Sequence, residues 1–341
     1  MVIRSYPDQP VPALYDVCAV GNAIVDVIAD CDEAFLATNG ITKNAMMLVD
    51  EARSDFLYKA ITPQAEMSGG SVANTVTGIA MLGGKPTYIG KVRDDELGSV
   101  YRADMRAAGV HFPTVPAASG PATGCSIILV TPDAHRSMNT YLGIAGDLSE
   151  TDIDAQLIAN AQMTLLEGYL FDKPEAQKAF HLAAKMAHDA GRRLALSLSD
   201  TFCVERHREA FAAFVRDEVD ILIANEFELM SLYQVPTFDE AMTAARAQCS
   251  LVVGTRSEKG AVIAQGSLSF PIEAEPVATL VDSTGAGDLF AAGFLFGLTH
   301  GKDMATSGRM GAIAASEIIS HYGPRPQADL KALMQAKGVD L

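Results

Sequence analysis

Val281-Asp-Ser-Thr-Gly-Ala-Gly-Asp288 runs straight into Leu289-Phe-Ala-Ala-Gly-Phe-Leu-Phe-Gly-Leu298, which sets a Gly-Ala-Gly turn against the first turn of an apolar helix. Free N–H groups at a helix start, with glycines that admit a ligand to the backbone, form an anion cradle favoured by the helix dipole. Gly285, Ala286 and Gly287 would supply it. Asp288 falls in the same first turn, where a carboxylate can accept the proton of a hydroxyl attacking a phosphoryl group. An acid at a helix start is also an ordinary local stabiliser, so Asp288 alone supports either reading. Asp282, with the carbonyls around Thr284, adds hard oxygen ligands for a cation near the phosphates. The segment is no dinucleotide fingerprint, since neither glycine nor alanine follows three residues after Gly287, and no Walker A sequence occurs.

A second glycine pair, Ser68-Gly-Gly-Ser-Val-Ala-Asn74, also leads into an apolar helix. Gly69 and Gly70 would let a small ligand touch the backbone, Ser71 would cap the helix, and Asn74 would offer a donor and an acceptor to ligand hydroxyls. A tight turn with Asn74 bonded locally would use the same residues.

Around these segments, short β-branched runs alternate with stretches of helical period. Strands are expected at 16–20, 86–92, 163–167, 193–199, 220–224 and 251–254, and helices at 71–82, 95–108, 174–190, 204–216 and 227–233. Strand, helix, strand in succession argues an α/β fold, a mostly parallel central sheet with helices on both faces. From Gly285 onward the chain reads as helical, at 286–298, 304–319 and 328–333. Two regions lack a crossover helix of parallel-sheet length and look hairpin-like: 24–50, and 123–141 with its turn at Thr131 to His135. They are expected to form a small β-sheet lid, drawn from about 24–50 and 112–142, on a single 341-residue unit.

The formal charge is −16, from 42 acidic and 26 basic residues, which repels both nucleic acid and anionic membrane. The five cysteines are scattered without C-x-x-C spacing, which argues against a disulfide framework or zinc site and fits a reducing cytoplasm. The apolar stretch 17–29 is too short to span a bilayer, and the first dozen residues lack signal-peptide order. Folded structure is expected from Tyr15. Hydrophobic residues at 49% and charged ones at 20% describe a globular chain.

The two glycine segments together, in this order and separation, resemble the two signatures of the PfkB family of ribokinase-like kinases. The likeness covers roughly Tyr15 to Gln327. Within the family it is most like the adenosine kinases, through Gly21-Asn22 with Asp26, Ala122-Thr-Gly-Cys125, and Arg136-Ser137. The resemblance implies a ribokinase-like fold and transfer of the ATP γ-phosphoryl group to a hydroxymethyl group of a nucleoside or sugar. Asp288 matches the catalytic base, and Gly285, Ala286 and Gly287 the anion hole. Asn225 and Glu228 match an element that organises Mg²⁺ and phosphate, Glu228 indirectly. Thr255, Lys259 and Gly260 fall in the loop flanking ATP. Asp282 matches a monovalent-cation position, with K⁺ as its ion. Asn22, Asp26, Gly69, Gly70, Ser71 and Asn74 fall around the ribose, Arg136 on the closing lid, and Met138, Leu170 and Phe202 around a purine. A capping box would equally account for Asn225 and Glu228, an edge charge for Arg136, and core packing for the apolar positions. Asp26, an acid in an otherwise apolar run, is best explained by vicinal hydroxyls. The expected partners are ATP and a small acceptor, adenosine or a close nucleoside, in a monomer or homodimer. A sugar acceptor, or a non-catalytic ligand-binding protein, are the rival readings.

Overall fold

The protein is described here from a computed structural model covering residues 12–133 and 135–341. Most of the first dozen residues, and position 134 in the turn at 131–135, lie outside the described residues. Strand β1 (Tyr15–Val20) starts where folded structure was expected. It is followed by β2 (Ile24–Asp30), α1 (Glu33–Thr38), β3 (Met46–Leu48), α2 (Glu51–Ala60), β4 (Ala65–Gly69), α3 (Ser71–Met81), β5 (Thr87–Ile89) and α4 (Glu96–Ala107). The middle of the chain carries β6 (Gly124–Val130), β7 (Arg136–Tyr141), α5 (Ala155–Ala159), β8 (Ala161–Glu167), α6 (Pro174–Asp189), β9 (Arg193–Ser197) and α7 (Thr201–Asp217). Then come β10 (Ile221–Asn225), α8 (Glu226–Tyr233), α9 (Phe238–Arg246), β11 (Leu251–Thr255), β12 (Ala261–Gln265) and β13 (Leu268–Ile272). The chain closes with α10 (Ala286–Thr299), α11 (Met304–Ile318) and α12 (Leu330–Ala336).

The large sheet has the order β13-β12-β11-β10-β9-β8-β1-β5 and is parallel from β11 to β5. Its inner strands are buried on both faces, which is why they read as continuous apolar runs. One face packs against α3, α10, α11 and α12, and the other against α5 to α9. In α10 the residues from Leu289 to Gly297 are all buried, so Phe290, Phe294 and Phe296 each contribute on the order of 1.5–3 kcal/mol and fix the helix start against the sheet. Gly293 and Gly297 let α11 approach. A Cβ at Gly293 would lie 2.4 Å from the Met310 carbonyl oxygen.

Beyond the expected strands, the sheet gains the antiparallel β12–β13 hairpin. Strand β13 contains Pro271, which lacks a ladder donor and is tolerated because β13 is the edge. The small sheet has the order β3-β7-β6-β2-β4. Only β6–β7 is the hairpin expected from sequence. The 24–50 region is not one, because β2 pairs with β6 and β4 while β3 pairs with β7. Strand β4, not among the strands expected from sequence, completes the sheet. Segment 112–123 supplies no strand to it, only an isolated bridge at Arg93–Ala117. Helices α2 and α4 pack on this sheet. No helix of the described residues is long and apolar enough to cross a membrane.

Candidate active site

Strand ends and helix starts of the large sheet meet at one cleft of about 330 Å³. It is lined by Gly70, Ser71, Asn74, Tyr169, Ser197, Ser199, Ile223, Ala224, Asn225, Glu228, Thr255, Ser283, Gly285, Ala286, Gly287 and Asp288. Both glycine segments singled out in the sequence therefore open onto it.

The start of α10 forms one wall. Gly285 takes the left-handed conformation (φ +81°) as the residue before the helix, and no side chain caps the N–H groups that follow. A Cβ at Gly287 would meet nothing within 4 Å, so the backbone faces open space. Asp288 accepts hydrogen bonds from Ser71 Oγ (2.6 Å) and Asn74 Nδ2 (3.0 Å), and Thr75 Oγ1 donates to its carbonyl oxygen (3.1 Å). The first turns of α3 and α10 are thus tied at one carboxylate. Burial pushes Asp288 up to about 6, opposed by Ser71, Asn74 and Arg325. A carboxylate poised so close to neutrality, next to an uncapped nest, can serve as a general base for a hydroxyl attacking an anionic group.

The ribose-side candidates lie just behind this wall. A Cβ on Gly70 (φ +104°) would be 2.3 Å from the Asn22 carbonyl oxygen, and one on Gly69 about 2.5 Å from the Asp26 carboxylate. Both glycines are required by close approach. Asp26 is buried and burial raises it to about 6, with Arg325 and Arg136 opposing. Asn22 is oriented by Glu167, whose Oε1 accepts from the Asn22 amide nitrogen Nδ2 at 2.7 Å while Oε2 accepts from Val72 N at 3.2 Å. Glu167 is fully buried and raised to about 7 by burial. It belongs to the site's framework. Sequence reading passed over it, although an acid ending an apolar strand was the available signal.

On the opposite wall, Asn225 and Glu228 form a capping box at the start of α8. Asn225 Oδ1 accepts from Glu228 N (2.9 Å), and Glu228 accepts from Asn225 N (2.9 Å) and Nδ2 (2.6 Å). Glu228 is raised to about 7 by burial. Thr255 lines the cleft at the end of β11. Lys259 and Gly260 do not. Lys259 lies 3.5 Å from Glu226, and Gly260 (φ +77°) is demanded by the β11–β12 turn, where a Cβ would strike the Ile272 carbonyl at 2.0 Å.

Other expectations need correction. Leu170 is 2% exposed and packs in the core beside Phe171, because the turn after β8 points it inward; its neighbour Tyr169 lines the cleft. Phe202, in the first turn of α7, is 71% exposed and outside the cleft. Met138 sits in the small sheet opposite Met46 and Ile128, away from the cleft lining. Arg136 does not reach the cleft: it pairs with Asp282 (3.0 Å) and lies over the Tyr322 ring at 5.5 Å. Asp282 also accepts from Thr284 N, Thr284 Oγ1 and Gly323 N, so its carboxylate already has a cationic partner and three donors. Ser199, also missed, lines the cleft in left-handed backbone (φ +73°), a conformation no composition signal announces.

This architecture, a large mostly parallel sheet with a smaller sheet and a glycine nest at a late helix, defines a ribokinase-like protein. The chain belongs to the pfkB family of carbohydrate kinases, whose family model matches residues 16–330. It is a kinase of nucleosides or sugars that transfers a phosphoryl group to an alcohol. A solved structure of adenosine kinase from Sinorhizobium meliloti is 45% identical, with a TM-score of 0.87 over 95% of this chain and 100% of that one. A probable sugar kinase from Rhizobium etli CFN 42 is also 45% identical, with a TM-score of 0.88 over 96% of this chain and 99% of that one. Adenosine kinase of Saccharomyces cerevisiae is 28% identical over 89% of this chain and 95% of its own length.

The family implies ATP, typically with Mg²⁺. Among the described residues no group of three His, Cys, Asp or Glu side chains is placed to hold a metal. An Mg²⁺ bound with ATP would be held chiefly by phosphate oxygens and water, since it retains water and needs few protein ligands, and Glu228 on the cleft wall would assist it.

Proposed function

We propose that the protein is an ATP-dependent kinase that phosphorylates the 5′-hydroxyl of adenosine or a close nucleoside. The observation that carries this is Asp288, fixed by Ser71 and Asn74 at the cleft wall beside the uncapped Gly285-Ala286-Gly287 nest. Asp288 takes the hydroxyl proton as the acceptor oxygen bonds to the γ-phosphorus and the bond to ADP breaks. The backbone N–H groups of the nest bind the transferring oxygens, and Mg²⁺, when bound, neutralises charge on the phosphates. Asp26 and Asn74 hold the sugar hydroxyls, Asn22 shapes the floor, and Gly69 and Gly70 let the sugar reach the backbone. Asn225, Glu228 and Thr255 border the nucleotide side. The small sheet serves as the cover that closes over the acceptor.

The likeness to adenosine kinases at 45% and 28% identity supports the nucleoside, and Tyr169 supplies an aromatic ring in the cleft. A sugar acceptor is the second reading, favoured by the removal of Leu170 and Phe202 from the wall and by the probable sugar kinase at equal identity. The test measures ADP release with Mg²⁺ across adenosine, other nucleosides, ribose, fructose and 5-dehydro-2-deoxygluconate. The expected winner in kcat/KM is adenosine, by at least tenfold. A sugar preferred by that margin replaces the first reading with the second, and ATP left untouched by every acceptor removes both.

A further inference from the structure

Arg325, in the segment after α11, is a charged group that neither the sequence motifs nor the mechanism above uses. Its Nη2 donates to the Ser68 carbonyl oxygen and to Ser68 Oγ (2.7 Å). Ser68 in turn donates from its N (2.8 Å) and its hydroxyl to Asp104 on α4. The other guanidinium nitrogens, Nε and Nη1, are shut off from solvent without a hydrogen-bond partner. Leaving such donors unmade costs on the order of 1–3 kcal/mol, so the position calls for an explanation beyond tethering β4.

Geometry supplies one. The guanidinium sits on the peptide joining Ser68 to Gly69, and the Asp26 carboxylate rests directly against Gly69. Two residues on, Ser71 holds Asp288. One buried cation therefore stands at the corner that carries both acids of the acceptor site. We propose that Arg325, locked in place by Ser68 and Asp104 at the corner that carries both acids, is a positioning residue that acts as the shared counter-charge of Asp26 and Asp288. This rests on the reading of Asp288 as the base.

The charged and titratable neighbours agree. Around Arg325 stand Asp104 and Tyr101 from α4, Asp26 from β2 and Asp288 from α10. Asp26 feels Arg325 and Arg136 as cations and Asp288 as an anion; Asp288 feels Arg325, and it in turn burdens Glu167 and Glu228. Arg136 is committed to Asp282, which leaves Arg325 as the cation acting on both acids.

The test is a carbon-13 titration of aspartate carboxyl signals in the full chain, which needs no turnover, with Asp26→Asn and Asp288→Asn used to assign them. In Arg325→Gln both carboxyls are expected to titrate at least one pH unit higher, whereas Arg325→Lys keeps them within half a unit of the parent. In parallel, the acid limb of kcat/KM for the acceptor should move to higher pH in Arg325→Gln, with the KM for ATP within twofold. Should Arg325→Gln fail to fold, Ser68→Ala, which removes one guanidinium partner, is expected to shift the same signals upward by a smaller step. Unmoved carboxyl titrations in the folded variant overturn the proposal whether or not the parent turns over. An inactive parent whose carboxyls still move overturns only the kinase reading.

Discussion

Asp288→Asn separates chemistry from architecture at this site. The amide is isosteric, Ser71 Oγ can still donate to its oxygen, and the new NH₂ faces the Asn74 amide, whose Oδ1 is buried without a partner. A half-turn of the Asn74 amide presents that oxygen to the new donor, so the α3–α10 tie survives. What disappears is the proton acceptor. General base catalysis is worth about 10²–10⁴-fold, so kcat should fall by that factor while the KM values for ATP and acceptor stay within about threefold. Stability should move the other way. Burial raises the carboxyl from 3.8 to about 6, which at 1.36 kcal/mol per unit sets an upper figure of about 3 kcal/mol for the cost of ionising it in the fold. The variant should therefore melt higher than the parent at pH 8 and match it near pH 3, below the unfolded pKa, where the parent carboxyl is neutral in the fold and mostly neutral in the unfolded chain. Initial rates by coupled ADP detection and thermal melts at the two pH values read both effects. Parental turnover in a folded variant would refute the base assignment, and a lower melting point at pH 8 would refute the electrostatic reasoning.

In the parent, kcat/KM for the acceptor should rise with pH along an acid limb near 6, the joint titration of Asp26 and Asp288; a rate already flat from pH 5 to 8 contradicts it. Global stability should fall as pH rises from about 4 to 7, because Asp26, Asp288, Glu167 and Glu228 all bind protons more tightly folded than unfolded, and urea midpoints across that window give the slope and its sign. Exchanging K⁺ for a bulky organic cation should change the rate less than twofold, since Asp282 is already met by Arg136; a tenfold loss would place an ion in the site after all. Gly260→Ala should cost at least about 2 kcal/mol in chemical denaturation, through a left-handed φ and a 2.0 Å clash with the Ile272 carbonyl, and a neutral result would mean the turn re-forms.

The elements that sequence revealed are those whose burial imposes a period. Strands β1, β8, β10 and β11 are apolar on both faces, and α3 and α10 follow glycine turns, so each was legible within a few residues. Strand β4, Ala-Glu-Met-Ser-Gly, has no such pattern: it is held by its ladder to β2 and by the Ser68–Asp104 bonds, neither of which leaves a mark in hydrophobicity. The same division runs through the site. Asp288, Gly285, Ser71 and Asn74 could be singled out because helix starts demand particular residue types, and the structure brings them to one cleft. Leu170 and Phe202 were misplaced because one residue of shift in a turn exchanges core for surface, and no local signal separates Leu170 from Tyr169.

Glu167 and Arg325 were invisible for a deeper reason, since each acts through partners 95 or more residues away: Asn22 and Val72 for one, Ser68 for the other. Their placement bears on how the cleft stays folded. Four carboxylates converge here, each raised by burial, and a neutral acid would relieve the fold but disable the base. Fixed amide donors answer part of that conflict at Glu167 and Glu228, where Asn22, Val72 and Asn225 solvate the charge from the backbone outward. Asp288 accepts from Ser71 and Asn74 and feels the charge of Arg325, and for Asp26 the neighbours that favour ionisation are the guanidinium groups of Arg325 and Arg136. Glu167 and Glu228 are thus satisfied locally, while Asp26 and Asp288, the acids proposed to meet the acceptor, keep lone pairs free. If acceptor hydroxyls donate to Asp26 and Asp288 as proposed, acceptor binding should lower both carboxyl pKa values, read as a move of their carbon-13 titration midpoints to lower pH.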